Sequence, residues 1–387
     1  MARNRVIYQS EALYVSEDIE STGSNKHEQL ERIQSANYSF TINRQDINQF
    51  GQAARIDSIV MDAPTVNLDF SYYLTDGFNE RALGFHVETG DGAGDTGQFA
   101  SGHMTYGVGK NLYITTVGEG ADAKGSSGQD LKSVIGLGNA FLSDYTLDLS
   151  VGSIPTVSVS MECANINSTH DTVLSGEAGG YSGILTPAVD ITDGKMIKDG
   201  TDDRTAVLPQ FSQGESDIFA LRPGDIEIDI TGISGSTMSN ITGKDSEDSI
   251  HIQSASLSIP LSRSPLQRLG TRFAYARPVD FPVNATLSIN AICTDVVARN
   301  LSETLDATGA ANDLLLKLKS TDSGGTQTDR MIYTLKGCRL DSESFSLSVG
   351  SNKSVDLTFS TQIGGVNDTG NGVFVSGENN DPIFPAA

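Results

Sequence analysis

The chain has 387 residues, 37% hydrophobic and 19% charged, with 40 glycines and no tryptophan. That length exceeds the usual reach of one hydrophobic core and predicts two domains. A formal net charge of −23 argues against a surface that grips nucleic acid by its phosphates, and no apolar run approaches the roughly 20 residues of a membrane span.

The opening residues, MARNRVIYQSEALYVSE (1–17), lack the apolar core of an export signal, so synthesis in a cytoplasm without export by that route is expected. Next comes IQSANYSFTINRQDINQFGQ (33–52). Tyr38, Phe40 and Ile42 alternate and predict a strand with one face toward a core. After Arg44 the alternation breaks. Ile47 and Phe50 stand three apart and Gly51 follows, which predicts one short helical turn closed by a glycine in left-handed backbone. Val66, Leu68, Phe70 and Tyr72 resume the strand pattern. Residues 77–130 contain GDGAGDTGQFASG (90–102) and are expected to form a long loop. LDLSVGSIPTVSVSM (147–161) reads as a hairpin turning at Gly152. Residues 167–215, rich in Gly, Asp and Thr, are expected to be a polar insertion or linker.

The remainder repeats the beginning. A slip of 219 positions aligns 33–76 with 252–295 without a gap, pairing Ile33-Gln34-Ser35-Ala36 with Ile252-Gln253-Ser254-Ala255, Arg44 with Arg263 and Gly51 with Gly270. Leu266 takes the place of Ile47. A slip of 198 aligns 134–165 with 332–363, setting Ser150-Val151-Gly152-Ser153 over Ser348-Val349-Gly350-Ser351. Two blocks matching in the same order mean a duplication of one β unit, with loops of different length between the blocks. Arg44, Ile47 and Gly51, with Arg263, Leu266 and Gly270, mark the structural turn of each copy. The expected organisation is a first unit over 1–166, the insertion over 167–215, a second unit over 216–365 and an exposed C-terminal arm over 366–387.

No catalytic pattern stands out. GVGK (107–110) fails the phosphate-loop pattern because Met104 and Asn111 occupy its other two key positions. The five histidines form no HxxxH or HExxH spacing, and DGTDDR (199–204) and the Asp91/Asp95 pair lack the spacing and closing Glu of a calcium loop. Three cysteines, Cys163, Cys293 and Cys338, are too few for a disulfide framework and read as thiols of a reducing compartment. No cofactor, metal or catalytic residue is expected.

NRQDINQFG (43–51), the second copy's SRSPLQRLGTRFAYARPVDFPVNATLSI (262–289), and the closing block LKGCRLDSESFSLSVGSNKSVDLTFSTQI (335–363) resemble the tail-tube proteins of long-tailed bacteriophages. The second copy departs from the pattern at Pro265 and Gln267, where the first has Asp46 and Asn48. The resemblance implies a mainly β fold: two tandem tail-tube-like β-barrel or sandwich domains, each with a short helix, plus long loops. It implies a structural virion protein, made in the host bacterial cytoplasm, that stacks as rings into the tail. Three two-copy chains would give a pseudo-six-fold ring; the alternative ring is a hexamer of two-domain chains with one copy decorating the outside. The implied partners are other copies of the chain, other tail proteins (tape measure, terminator, baseplate or tip) and DNA passing through an acidic lumen without specific binding. No membrane partner is implied. A capsid-decoration or surface-adhesion β protein is the alternative.

Overall fold

The computed structural model describes residues 11–16, 27–85, 87–88, 109–118, 123, 131–170, 175–177, 180–185, 187–190, 195–196, 205–208, 226–230, 251–271, 273–292, 312–321, 327–346, 352, 354–365 and 368–377. Their composition favours strands, since Ser, Thr, Val and Ile alternate along them.

The first half carries β1 (Glu11–Ser16), β2 (His27–Gln29), β3 (Ile33–Thr41), β4 (Arg44–Ile47), β5 (Asp57–Val60), β6 (Thr65–Tyr73), helix α1 (Phe78–Leu83), β7 (Val87–Glu88), β8 (Lys110–Val117), β9 (Leu131–Ser150), β10 (Thr156–Cys163) and β11 (Asn165–His170). The middle holds β12 (Ser175–Glu177), β13 (Gly180–Leu185), β14 (Val189–Asp190), β15 (Lys195–Met196) and β16 (Thr205–Leu208). The second half carries β17 (Ile226–Ile230), β18 (His251–Pro260), β19 (Val283–Ile292), β20 (Asn312–Thr321), β21 (Gln327–Ser346), β22 (Ser354–Ile363) and β23 (Gly372–Gly377).

Strand order repeats as the sequence does. The first half runs β1-β8-β9-β10-β6-β3 and the second runs β17-β20-β21-β22-β19-β18. In each half one 20-residue strand, β9 or β21, pairs with one set of neighbours through its first part and another through its second. The change falls between Ala140 and Phe141 in β9 and between Cys338 and Arg339 in β21, and a matching bulge follows, before Asp144 and before Ser342. Bulges bend a strand, so one chain segment joins two sheets over a shared core.

The halves join edge to edge through β9 and β18 into one 16-stranded antiparallel-rich sheet. Among the described strands this sheet is open and does not close into a barrel. Its apolar side is continuous. One cluster runs from Leu13, Leu68 and Leu147 through Leu257 and Leu287 to Leu316 and Phe359. Cys163 and Cys338 lie in it as free buried thiols, their ionisation pushed up to about 12 by burial.

Four sequence expectations are corrected, the first being that 366–387 is not an exposed arm throughout, since Gly372–Gly377 is a buried strand paired with β21. RQDINQFG forms no helical turn: Arg44–Ile47 is a strand paired with Asp57–Val60, and Gly51 sits at the hairpin tip with φ +87°. RSPLQRLG builds a looser version, with bridges Arg263–Val279 and Leu266–Ala276 and Gly270 at φ +89°. Apolar spacing of three suits a helix only if nothing outside the segment offers the backbone a partner, and here the returning strand does. The helix lies instead at Phe78–Leu83, between Gly77 and Gly84, both in left-handed backbone. The stretch 77–130 is therefore not loop throughout, since it also contains β7 and β8; its segment 90–102 lies outside the described residues. The expected polar insertion carries short strands. Asn139, itself at φ +51°, binds Val189 twice: Nδ2 donates to the Val189 carbonyl at 3.0 Å and Oδ1 accepts from its N–H at 2.7 Å.

Candidate assembly interface

The seam between the halves shows what this sheet's edges can do. β18 lies antiparallel on the C-terminal part of β9, with Ser254 opposite Ser150, Leu257 opposite Leu147 and Pro260 opposite Asp144. Val151 N–H donates to the Gln253 carbonyl at 2.9 Å and Leu261 N–H to the Ser143 carbonyl at 2.8 Å, extending the ladder at both ends. Leu257, Ile259 and Leu261 are fully buried. Each such burial stabilises by about 1.5–3 kcal/mol. On the opposite face Ser256 Oγ donates to Asp148 Oδ1 at 2.7 Å.

Arg263 clamps the seam's end. It is 8% exposed, and its Nε donates to the Leu142 carbonyl at 3.1 Å while Nη1 donates to the Arg277 carbonyl at 3.0 Å. Its guanidinium lies 5.2 Å from the Phe141 ring centre, a cation–π distance. Burial pulls its pKa down to about 10, and nearby Glu162 opposes that shift, so the charge persists at neutral pH. Glu162 also pairs with Arg277 at 3.2 Å.

A buried polar cluster crosses between the halves nearby. Tyr72 Oη donates to Glu80 Oε1 at 2.6 Å and Tyr145 Oη to the same oxygen at 3.1 Å. Tyr145 and Tyr333, from opposite halves, share a hydrogen bond at 2.6 Å. Burial pushes the Glu80 carboxyl up to about 7 and all three phenols well above their ordinary range.

The outer edges differ from the seam. β3 pairs with β6 on one side and with no described strand on the other; the same holds for Ser342–Ser346 of β21, which pairs with β22 alone. The apolar face of β3 is uncovered: Tyr38, Phe40 and Ile42 are 43%, 54% and 40% exposed, whereas their counterparts Leu257, Ile259 and Leu261 are 0% exposed. Phe345, the counterpart of Leu147, is 42% exposed. No protein-family model matches this chain, and no curated protein matches it either.

The six residues that mark the repeated turn fall on two separate arms. Arg44, Ile47 and Gly51 lie on the β4–β5 arm, all exposed; Leu266 and Gly270 are exposed on the second arm, and Arg263 is buried at its base. At the arm tips Phe50 and Leu269 stand fully in solvent. Sequence reasoning missed Glu80, Tyr145 and Tyr333, whose meeting depends on pairing between distant strands. It also missed Leu142, whose carbonyl leaves no side-chain signal.

The sheet face opposite the core is acidic and hydroxyl-rich. Asp69, Asp144, Asp148 and Asp356 lie on it among Ser158, Ser160, Ser256 and Thr358, with Arg339 beside them and Lys317 and Lys319 further along on β20. The described residues place no group of three or more His, Cys, Asp or Glu to hold a metal ion; DGTDDR and Asp91/Asp95 lie outside them. No described helix is long and apolar enough to cross a membrane.

Proposed function

We propose that this protein is a structural subunit of a phage tail tube, that its two halves are tandem tube domains, and that its rings stack around a channel for DNA. The observation that carries this reading is the seam. Two copies of one strand order already join edge to edge inside the chain, and among the described strands two of the edges left open, β3 and Ser342–Ser346 of β21, are the counterparts of the two that joined. An interface that uses different surfaces on its two partners adds subunits head to tail, and closes into a ring when the rotation permits. Soluble proteins ordinarily block such edges; here they are open and apolar. Three chains would supply six near-equivalent domains, and the apolar arm tips would serve contacts between rings. The role is structural rather than catalytic, in the virion tail.

In that ring the Ser/Asp face of the sheet lines the lumen. Its carboxylates repel DNA phosphates over about one Debye length, 8–10 Å near physiological salt, so the genome passes without adhering. Negative-stain microscopy of the concentrated protein tests the reading. Hollow tubes built of three-fold rings are the expected result. A persistent monomer that instead coats capsids or binds glycans would make this a decoration or adhesion protein.

A further inference from the structure

The internal seam also specifies how one molecule meets the next. We infer that β3 of one molecule adds antiparallel to Ser342–Ser346 of a second copy, with Tyr38 opposite Phe345, and that Arg44 there takes the position that Arg263 holds within the chain. The inference rests on the assembly reading above and sharpens it to a register.

Three observations fix that register. In the internal seam Leu257 faces Leu147 and Ser256 faces Asp148. Moving β18 back by the 219-residue slip and β9 forward by the 198-residue slip sets Tyr38 against Phe345 and Asn37 against Ser346. The bulges support the transfer: β10 meets β9 at Thr156–Asp148 and β22 meets β21 at Ser354–Ser346, with the irregularity at the same distance along each pair. The receiving edges therefore share a shape. The same register sets Phe40 against Glu343, and it is the neighbouring pair that the chemistry favours. Tyr38 and Phe345 are both more than two-fifths exposed on the core side of their strands, where the internal counterparts Leu257 and Leu147 are both 0% exposed. Pairing across the strands would cover both rings, and aromatic cross-strand pairs are among the stabilising ones.

The clamp changes character at the outer seam. Arg263 reaches the Leu142 carbonyl beside Phe141 and Ser143. The corresponding residues of the second half are Leu340, Arg339 and Asp341. Arg44 would thus donate to the Leu340 carbonyl with Asp341 as its ion-pair partner and Arg339 as a repelling neighbour. This seam is predicted to depend more on salt than the internal one, which has an aromatic ring at that place.

The test uses two variants of the full chain that each add one cysteine to the native three, Asn37→Cys and Ser346→Cys, mixed under mild oxidation. Both sites are exposed on the polar face of their strands. The expected result is a covalent dimer in the mixture and not in either variant alone, and loss of that product when Ser39→Cys replaces Asn37→Cys. Tyr38→Glu provides a second readout: it should keep the melting temperature of the isolated subunit and abolish association, whereas Leu257→Glu at the equivalent buried site should unfold the chain. Tubes that form without the Asn37–Ser346 product would overturn the register and leave the tail-tube reading standing. Absence of both tubes and cross-link at every concentration would overturn both. Undiminished association of Tyr38→Glu would also overturn the inference.

Discussion

At the scale of single residues, Glu80 is the most consequential group in the interior. Its carboxyl is raised from the ordinary 4.5 to about 7 by burial, so the folded state holds a proton that the unfolded chain releases. Its contribution to stability is complete below about pH 4.5 and is lost as pH rises through 7. The shift amounts to about 3 kcal/mol in total, with about 1 kcal/mol of it lost above pH 6.5. His27 slopes the other way. Burial lowers it from 6.5 to about 4, so its contribution is complete above 6.5 and disappears as pH falls toward 4. Of these two groups, Glu80 alone acts above about pH 6.5. Glu80→Gln keeps an acceptor for Tyr72 and Tyr145 but cannot titrate. We expect the wild-type melting temperature to fall between about pH 6.5 and about pH 8 and that of the variant to stay level, as thermal melts at the two pH values would show. Little of this was legible in the sequence. A Glu in FNERAL reads as a helix surface charge, and its burial follows from β6, β9 and β21 converging on one side of the helix.

At the scale of elements, alternation made the strands legible, and the hairpin turning at Gly152 formed where expected, with φ +83°. The arms did not read as strands because β4 has only four residues and its partner β5 begins ten residues after it ends. Local periodicity cannot report that pairing. The docking of 187–190 on β9 was likewise hidden, since it depends on close backbone approach. A Cβ on Gly138 would stand 2.2 Å from the Pro187 carbonyl oxygen, and Asn165 Nδ2 donates to that same oxygen at 2.9 Å. Gly138→Ala must push this segment away from β9. The expected loss is about 1–3 kcal/mol, as for other overpacking substitutions. Limited proteolysis should then cut within 171–215 sooner than in wild type, while unchanged cleavage and melting would show that the strap has room to shift.

At the scale of the whole molecule, the duplication was legible because identities accumulate at one fixed slip over more than forty residues. The shared core was not. It arises where β18 meets β9, strands more than a hundred residues apart whose edges carry no mark distinguishing a covered edge from an open one. Because one apolar cluster and the Tyr145–Tyr333 hydrogen bond span both halves, neither half can open without uncovering the other. A single cooperative calorimetric transition, with equal calorimetric and van't Hoff enthalpies, is therefore expected. Two resolved transitions would mean that the seam is weaker than its burial implies.

The contrast between Leu257, Ile259 and Leu261 on one edge and Tyr38, Phe40 and Ile42 on the other has a consequence for timing. The first edge finds its partner while the chain folds, at the high effective concentration that a covalent link supplies. On the proposed ring reading the second stays in water until another molecule arrives. In a ring of such chains half of the joints are present before any two molecules have met, and encounter has to supply only the other half.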